Sequence, residues 1–318
     1  MKPSLIVAKI LLLLTLLIFS KPTLSTVVNT STEPINSLPS LTTTYSPKGK
    51  ESKIQATTNN LSADLPIYTI GDNFQKNAKS QAMIFIYDIY GFNGGRTRLL
   101  VDDLSYRGYF VVLPDFFRGD HRDVDANFMT RLAGYTWEKI NIDMKAVINY
   151  LKEQGYDKFS IVGACWGGWI VFETSRVYQT QVMAGISYHP SLSPTRITTK
   201  TVDEFGDLIN TPQLLIATKQ EGVEVKPGGV IETKLKSRLG SNKVTFKSYE
   251  NMSHGFVTRG DASVEEIKTA FLETVKMTYD FLDEFAKASP YVVNYDEADV
   301  SDPLRIIVWL VVLLGIIF

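Results

Sequence analysis

Short apolar runs alternate with amphipathic stretches through the middle of this 318-residue chain. Residues 82–87 are apolar throughout, which is typical of a parallel strand that is buried on both faces. Residues 137–154 repeat apolar side chains along one helical face and end before Gly155, which predicts a long helix. The pattern also predicts strands at 109–113, 159–162, 181–187, 214–217 and 244–249, and helices at 96–107, from about 167, and at 264–286. This alternation predicts one α/β domain over residues 64–289, with a mostly parallel sheet and helices on both faces.

The start of the chain has the pattern of a secretory signal. Lys2 and Lys9 precede an apolar run over residues 10–19. A run of this length is typical of a signal-peptide core and is shorter than the roughly 20 residues of a membrane span. We therefore expect residues 1–25 to be a signal peptide. Residues 26–63 are rich in Ser, Thr, Asn and Pro, which favours a flexible extracellular leader.

A second apolar segment occupies residues 306–318, after a polar spacer at 290–305. At about 1.5 Å per residue it reaches roughly 20 Å, which is short of a hydrocarbon core of about 30 Å. A short apolar tail after a polar spacer resembles a glycosylphosphatidylinositol attachment signal, with Asn294 or Asp296 as the attachment residue. A short membrane tail and a tail packed on a partner are the alternatives. We expect an extracellular or cell-surface protein that is anchored to the membrane.

Three Asn-X-Ser/Thr sequons add to the secretory pattern. Asn29 and Asn60 lie in the predicted leader, where glycosylation is compatible with a solvated segment. Asn251 lies three residues before His254, and a glycan there would crowd a site that uses this histidine. We therefore expect the sequon at Asn251 to be unused.

Composition excludes several classes of protein. The chain has 33 Lys and Arg against 34 Asp and Glu, so it lacks the basic excess typical of nucleic-acid binding. Its 44% hydrophobic content is too high for a disordered protein. Cys165 is the single cysteine, so it cannot form an intramolecular disulfide or a multi-cysteine zinc site. The sequence shows no phosphate-binding glycine loop and no cluster of metal ligands, so we expect no cofactor and no metal.

The cysteine lies in a motif that carries chemistry. The sequence Gly163-Ala-Cys165-Trp-Gly167 follows a predicted strand and precedes a predicted helix, as a nucleophile elbow does. Small flanking residues let the backbone turn sharply, and the helix N-terminus favours a thiolate. The alternative is a buried structural cysteine in an ordinary strand–helix turn.

Catalytic partners for the cysteine occur in the order that this fold uses. The chain contains three histidines, His121, His189 and His254. His254 lies between a predicted strand and the last helix, which is the usual place of the catalytic histidine. Glu221 follows the strand at 214–217 and is the expected acid, with Glu224 as the alternative. His189 follows another strand, and we expect it to have a structural or supporting role.

Several separated blocks resemble the dienelactone hydrolase family of α/β-hydrolases, in its eukaryotic carboxymethylenebutenolidase-like branch. The resemblance spans roughly residues 67–286. Its blocks are Tyr87-Asp-Ile-Tyr-Gly91, residues 107–119 with Leu-Pro-Asp-Phe-Phe-Arg-Gly, the Gly-Ala-Cys-Trp-Gly-Gly elbow, and Ser253-His-Gly-Phe256. The resemblance implies a single α/β-hydrolase domain without a large cap domain.

The resemblance also implies a mechanism. Cys165 would attack an ester or lactone carbonyl to form a thioester, while His254 transfers protons and Glu221 orients it. The backbone N–H groups of Trp166 and Ile89 would form the oxyanion hole.

Other residues receive roles from the same resemblance. Asp88 stands where the family has an acidic residue that contacts and activates the resting thiol. Arg259 and Arg118 are the candidates for binding the substrate, together with Tyr90. Thr258 occupies the position where bacterial members carry one of two carboxylate-binding arginines, so the chain departs from the bacterial pattern for binding a dienelactone.

The leading functional hypothesis is a cofactor-free hydrolase of small esters or lactones, expected to be a monomer. The alternative is a catalytically silent, surface-anchored binding protein that retains the hydrolase fold. A redox-sensing thiol is a third interpretation, and the absence of a resolving cysteine argues against it.

Overall fold

The computed structural model describes residues 45–58, 61–71, 81–123, 125–192 and 201–286. The strands in these ranges are β1 (Lys50–Thr58), β2 (Leu61–Ile70), β3 (Gln81–Ile86), β4 (Tyr109–Pro114), β5 (Phe159–Ala164), β6 (Val182–Tyr188), β7 (Gln213–Thr218) and β8 (Val244–Tyr249). The α-helices are α1 (Thr97–Tyr106), α2 (Phe128–Leu132), α3 (Trp137–Glu153), α4 (Trp166–Val177), α5 (Glu204–Leu208), α6 (Val230–Leu239), α7 (Phe256–Arg259) and α8 (Glu265–Phe285). Two short 3₁₀ segments lie at Val223–Val225 and Ser241–Lys243.

The strands form one sheet in the order β1-β2-β4-β3-β5-β6-β7-β8. β1 and β2 pair in antiparallel fashion, as do β2 and β4, and the remaining pairs are parallel. Every residue of β4, β5 and β7 is buried, because helices cover both faces of the central sheet. The predicted α/β fold with a mostly parallel sheet is confirmed.

The hairpin of β1 and β2 corrects the predicted leader. Residues 26–63 were expected to be flexible, but 50–58 and 61–63 belong to paired strands. Side chains of a strand at the edge of a sheet alternate between solvent and protein, and in β1 Ala56 is buried between exposed Gln55 and Thr57. A Ser- and Thr-rich segment can therefore be an edge strand, since threonine favours strands.

The residues just before β1 are also held against the domain. The hydroxyl of Tyr45 and the backbone N–H of Lys48, the latter at 2.7 Å, donate to the carboxylate of Asp102 on α1. The Tyr68 hydroxyl donates to the other oxygen of this buried carboxylate at 2.5 Å. The domain therefore includes Tyr45 and Lys48, which lie before its predicted boundary at residue 64.

The topology gathers one end of the sheet into a site. The chain passes from β3 to β4 on one side and from β5 to β6 on the other, so the direction of the connections reverses between β3 and β5. A crevice forms at such a switch point, outside the carboxyl ends of the strands. The loops after β3, β5, β6, β7 and β8 all begin at this edge.

Several predictions concern residues outside the described ranges. They are the signal peptide at 1–25, the sequons at Asn29 and Asn60, and the whole spacer and tail from 290 to 318. Within the described ranges, no helix combines the length and apolar character needed to cross a membrane.

Candidate active site

Cys165 occupies a strained turn between β5 and α4. Its backbone angles are φ 56° and ψ −114°, a conformation that a non-glycine residue adopts only at a cost of about 1–3 kcal/mol. A Cβ atom at Gly163 would overlap the backbone of Gly167, and one at Gly167 would overlap the carbonyl of Ile86. The glycines are therefore needed for close packing of the helix on the sheet, and the geometry is that of a nucleophile elbow.

His254 and Glu221 form a pair beside this turn. Oε1 of Glu221 lies 2.6 Å from Nδ1 of His254, and the other carboxylate oxygen accepts the backbone N–H of Thr218. The Glu221 side chain is only 4% exposed, whereas that of His254 is 25% exposed, so the ring remains accessible. The carboxylate of Glu224 packs against Gly222 instead. Of the two candidate acids, the structure brings Glu221 to the histidine.

The thiol and the imidazole perturb each other. Burial raises the pKa of the Cys165 thiol, but the charge of His254 and hydrogen bonds from His254 and Ser191 bring that pKa below its ordinary value. Burial lowers the pKa of His254, while the charge and hydrogen bond of Cys165 and the carboxylate of Glu221 raise it to about 10. Each group therefore shifts the other toward its charged form, which for cysteine is the nucleophilic form.

The expected oxyanion hole combines two backbone N–H groups. The N–H of Trp166, the first residue of α4, donates to the Cys165 sulfur. Ile89 lies in the loop after β3, where its carbonyl accepts the N–H of Arg122 at 3.1 Å. The role of these two N–H groups in binding an oxyanion stays a prediction.

Asp88 differs from its expected position. Its Oδ2 atom pairs with Arg259 and accepts the Thr258 hydroxyl at 2.7 Å, while Oδ1 accepts the backbone N–H of Tyr90 at 2.9 Å. Within the described residues no hydrogen bond joins this fully buried carboxylate to the Cys165 thiol. The expectation of a resting contact with the thiol is wrong in this structure, because Arg259 and Thr258 hold the carboxylate.

Two arginines flank the ring of Tyr90. The guanidinium carbon of Arg259 lies 3.9 Å from the ring centroid and that of Arg122 lies 5.1 Å from it. Arg122 also donates to the Tyr90 hydroxyl at 2.8 Å, and burial together with the charge of Cys165 raises the pKa of Tyr90. Tyr90 and Arg259 therefore lie near the site as predicted. Arg122 is a further residue near the site that the sequence analysis did not identify. Its position in the sequence carries no signal, because only the folded loop brings it to Tyr90.

Arg118 is not available to a substrate at this site. Its guanidinium binds both carboxylate oxygens of Asp143, at 2.7 and 2.8 Å, and its Nε donates to the backbone carbonyl of Asp64 at 2.9 Å. Arg118 and Asp143 line a cavity of about 440 Å³ that none of the three candidate catalytic residues lines. The predicted substrate contact of Arg118 is corrected to a structural ion pair.

The turn after β6 adds two residues to the site. The Ser191 hydroxyl lies 3.4 Å from the Cys165 sulfur, and the ring of His189 packs edge-on against that of His254, with 4.8 Å between centroids. His189 has the supporting position that was predicted. Ser191 was missed, although its place just after a strand end was a usable signal.

A nucleophile elbow with a histidine–carboxylate pair on neighbouring strand ends defines an α/β-hydrolase. The family model for the dienelactone hydrolase family matches residues 73–286, and the chain belongs to this family. The resemblance inferred from the sequence is therefore confirmed. Family membership indicates a hydrolase whose substrate is a small ester or lactone.

Related proteins and structures agree with this assignment. A carboxymethylenebutenolidase homolog of Xenopus tropicalis is 27% identical over 63% of this chain and 80% of that protein. The Homo sapiens homolog is 30% identical over 56% and 71% of the two chains. A dienelactone hydrolase-like promiscuous phosphotriesterase from metagenomic libraries aligns with a TM-score of 0.55 and 13% identity, over 74% of this chain and 98% of that one. At this identity the structural match shows the shared fold.

Proposed function

We propose that this protein is a cysteine-dependent hydrolase of small esters or lactones. The observation that carries the proposal is the placement of Cys165 on a strained elbow beside the paired side chains of His254 and Glu221. A structural cysteine has no need of this backbone conformation or of a polarised histidine. The perturbed pKa values of the pair support the same reading, since such shifts cluster at functional sites.

The first half of the reaction forms a thioester. The thiolate of Cys165 attacks the substrate carbonyl carbon, and a C–S bond forms while the carbonyl oxygen becomes an oxyanion. The N–H groups of Trp166 and Ile89 stabilise that oxyanion. When the oxyanion collapses, the C–O bond of the ester breaks and the imidazolium of His254 gives its proton to the leaving oxygen.

The second half regenerates the enzyme. Neutral His254 takes a proton from water, and the water oxygen attacks the thioester carbonyl. Collapse of the second oxyanion breaks the C–S bond, which releases the carboxylic acid and restores the thiolate beside the imidazolium. Glu221 keeps Nδ1 of the ring protonated throughout, so that Nε2 faces the reacting atoms.

An anionic substituent on the substrate fits the charges around the site. Asp88 neutralises Arg259, whereas the exposed guanidinium of Arg122 forms no ion pair within the described ranges. A carboxylate that reached Arg122 beside Tyr90 would gain a charge-assisted hydrogen bond. The preferred ester or lactone would therefore carry a carboxylate.

Hydrolysis assays on the purified full chain test the proposal. Aryl acetates and a small lactone panel, with and without a carboxylate, are compared for the wild type, Cys165→Ala and His254→Ala. We expect both variants to lose at least about 10³-fold in kcat/KM, as removal of a nucleophile or its base does in other hydrolases. Equal rates in all three proteins would overturn the proposal and favour the catalytically silent binding protein.

The location of the protein is a separate proposal. The apolar segments at 10–19 and 306–318 support secretion and a membrane anchor at the cell surface. Phospholipase C treatment of cells would release a lipid-anchored protein into the medium. A protein that stays with the membrane after treatment would contradict the lipid anchor and favour a retained apolar tail.

A further inference from the structure

The turn after β6 forms hydrogen bonds with both the backbone N–H and the backbone carbonyl of the nucleophile. We call residues Tyr188–Ser191 the β6 turn. The carbonyl of Tyr188 accepts the N–H of Cys165 at 2.9 Å, and the N–H of Ser191 donates to the carbonyl of Cys165 at 2.9 Å. These two hydrogen bonds fix Ser191 relative to the strained elbow. The 3.4 Å approach of the Ser191 hydroxyl to the Cys165 sulfur follows from that backbone geometry.

The same turn carries the residue that supports the base. His189 has a φ of 37°, and its N–H donates to the carbonyl of Ile216 at 2.6 Å. Its ring is fully buried against His254 and Phe256, and neither ring nitrogen has a hydrogen-bond partner within the described residues. Burial and the charge of His254 lower the pKa of His189 well below its usual value. A neutral ring beside the imidazolium avoids like-charge repulsion while it limits rotation of His254.

We propose that Ser191 stabilises the thiolate form of Cys165 by donating its hydroxyl hydrogen to the sulfur, from a position set by the β6 turn. A thiol and a hydroxyl can each donate, but a thiolate can only accept, so the direction of this hydrogen bond is determined once the sulfur is ionised. Hydrogen bonding to the charged form of a group favours that form. The inference deepens the proposed function, on which it rests, because it assigns part of the activation of Cys165 to a residue outside the Cys–His–Glu set.

Other titratable groups around the sulfur have distinct positions. His254 faces it from the loop after β8, with Glu221 behind the ring, and His189 packs on His254 from the β6 turn. Tyr90 approaches from the loop after β3. Around the Tyr90 ring lie Arg122 and Arg259, and Arg259 pairs with Asp88. The proposed effect of Ser191 is therefore measured with all of these groups kept in place.

Thiol alkylation measures this effect without any substrate. Cys165 is the single cysteine, so the rate of iodoacetamide labelling of the full chain reports this sulfur alone. The pH dependence of the rate is recorded for the wild type, Ser191→Ala, and the isosteric pair Ser191→Thr and Ser191→Val. We expect the half-maximal pH to rise by about one unit in Ser191→Ala and Ser191→Val, the size expected for losing a hydrogen bond to a charged group. Ser191→Thr keeps the hydroxyl and is expected to follow the wild type.

The outcomes separate this inference from the proposed function. Suppose that the half-maximal pH of alkylation in the wild type is well below the ordinary thiol pKa of about 8.5 and does not change in Ser191→Ala or Ser191→Val. This result would overturn the role of Ser191 and leave the proposed function standing. Equal shifts in Ser191→Thr and Ser191→Val would also overturn it, because packing and not the hydroxyl would then be responsible. A wild-type midpoint at the ordinary value would contradict the activated thiol of the proposed function. Should Ser191→Ala fail to fold, the Thr and Val variants still decide the question.

Discussion

Oε1 of Glu221 lies 2.6 Å from Nδ1 of His254, which leaves Nε2 as the ring nitrogen available to Cys165. The carboxylate is held in turn by the backbone N–H of Thr218, at the end of β7. Glutamate is one methylene longer than aspartate. Glu221 lies three residues after the end of β7, and this position leaves space for the longer side chain beside His254. The carboxylate thereby selects one tautomer and one orientation of the ring.

Replacing this acid should impair the chemical step. In Glu221→Gln, the amide cannot stabilise the imidazolium and can hold the wrong tautomer, so we expect kcat to fall by about 10²-fold to 10⁴-fold. Glu224→Gln is the matched control, and we expect it to leave kcat within about twofold of the wild type. Steady-state hydrolysis of an aryl acetate measures both. A loss of activity confined to Glu224→Gln would reverse the assignment.

The charge of Cys165 should be visible in the titration of His254. The thiolate, its hydrogen bond and the Glu221 carboxylate raise the pKa of His254 to about 10 against the effect of burial, so the ring keeps its proton at pH 8. In Cys165→Ala the thiolate is absent, and we expect the pKa to fall and the ring to lose its proton at a lower pH. The imidazole resonances of the three histidines, followed by NMR from pH 5 to 10, measure this change. Identical His254 titrations in the two proteins would show that no thiolate is present.

Asp88 and Arg259 form a buried ion pair, so removing one partner should destabilise the domain. In Arg259→Met the carboxylate of Asp88 stays buried without its counter-charge, and we expect a loss of about 3–5 kcal/mol in the free energy of unfolding. Lys276→Met is the surface control, because the exposed pair of Lys276 with Asp280 contributes about 1 kcal/mol or less. Urea unfolding measures both variants. The double variant Asp88→Asn with Arg259→Met should regain part of the loss, and no recovery would argue against the unpaired charge as its cause.

Gly167 should tolerate no side chain, because a Cβ there would overlap the carbonyls of Ile86 and Tyr87. We expect Gly167→Ala to displace α4 from the sheet and to abolish hydrolysis together with fast alkylation of Cys165. Gly155→Ala is the control, since that glycine has a φ of 93° but open space around it. Its cost should be limited to about 1–2 kcal/mol of backbone strain, with activity retained. Full activity in Gly167→Ala would mean that the elbow can relax.

Much of the site could be predicted from local sequence. The small residues around Cys165 and the places of Glu221 and His254 after successive strands all follow from short-range pattern, because parallel strands bring their carboxyl ends to one edge. The errors have a common origin in long-range pairing. Nothing near Arg118 in the sequence indicates an ion-pair partner, but its guanidinium binds Asp143, which lies 25 residues further along the chain on α3.

The hairpin of β1 and β2 shows the same limit. The composition of this hairpin favours exposure to solvent. The hairpin becomes part of the sheet only because β2 pairs with β4. Hydrogen bonds between strands satisfy the backbone whatever the side chains are, so composition alone cannot separate an edge strand from a flexible leader. The contact of Tyr45 with Asp102 spans 57 residues and leaves no local signal.

The sequence by itself determined the parallel strands β3 to β8, the long helices α3 and α8, the elbow, and the family, because each depends on short patterns of residues that are close together along the chain. Only the tertiary structure decided that Glu221 and not Glu224 reaches His254, that Asp88 pairs with Arg259 and not with the thiol, and that Ser191 reaches the sulfur. Those choices depend on distances of a few ångströms between side chains carried by different strand ends. Packing sets such distances, and the lone cysteine acquires its chemistry from them.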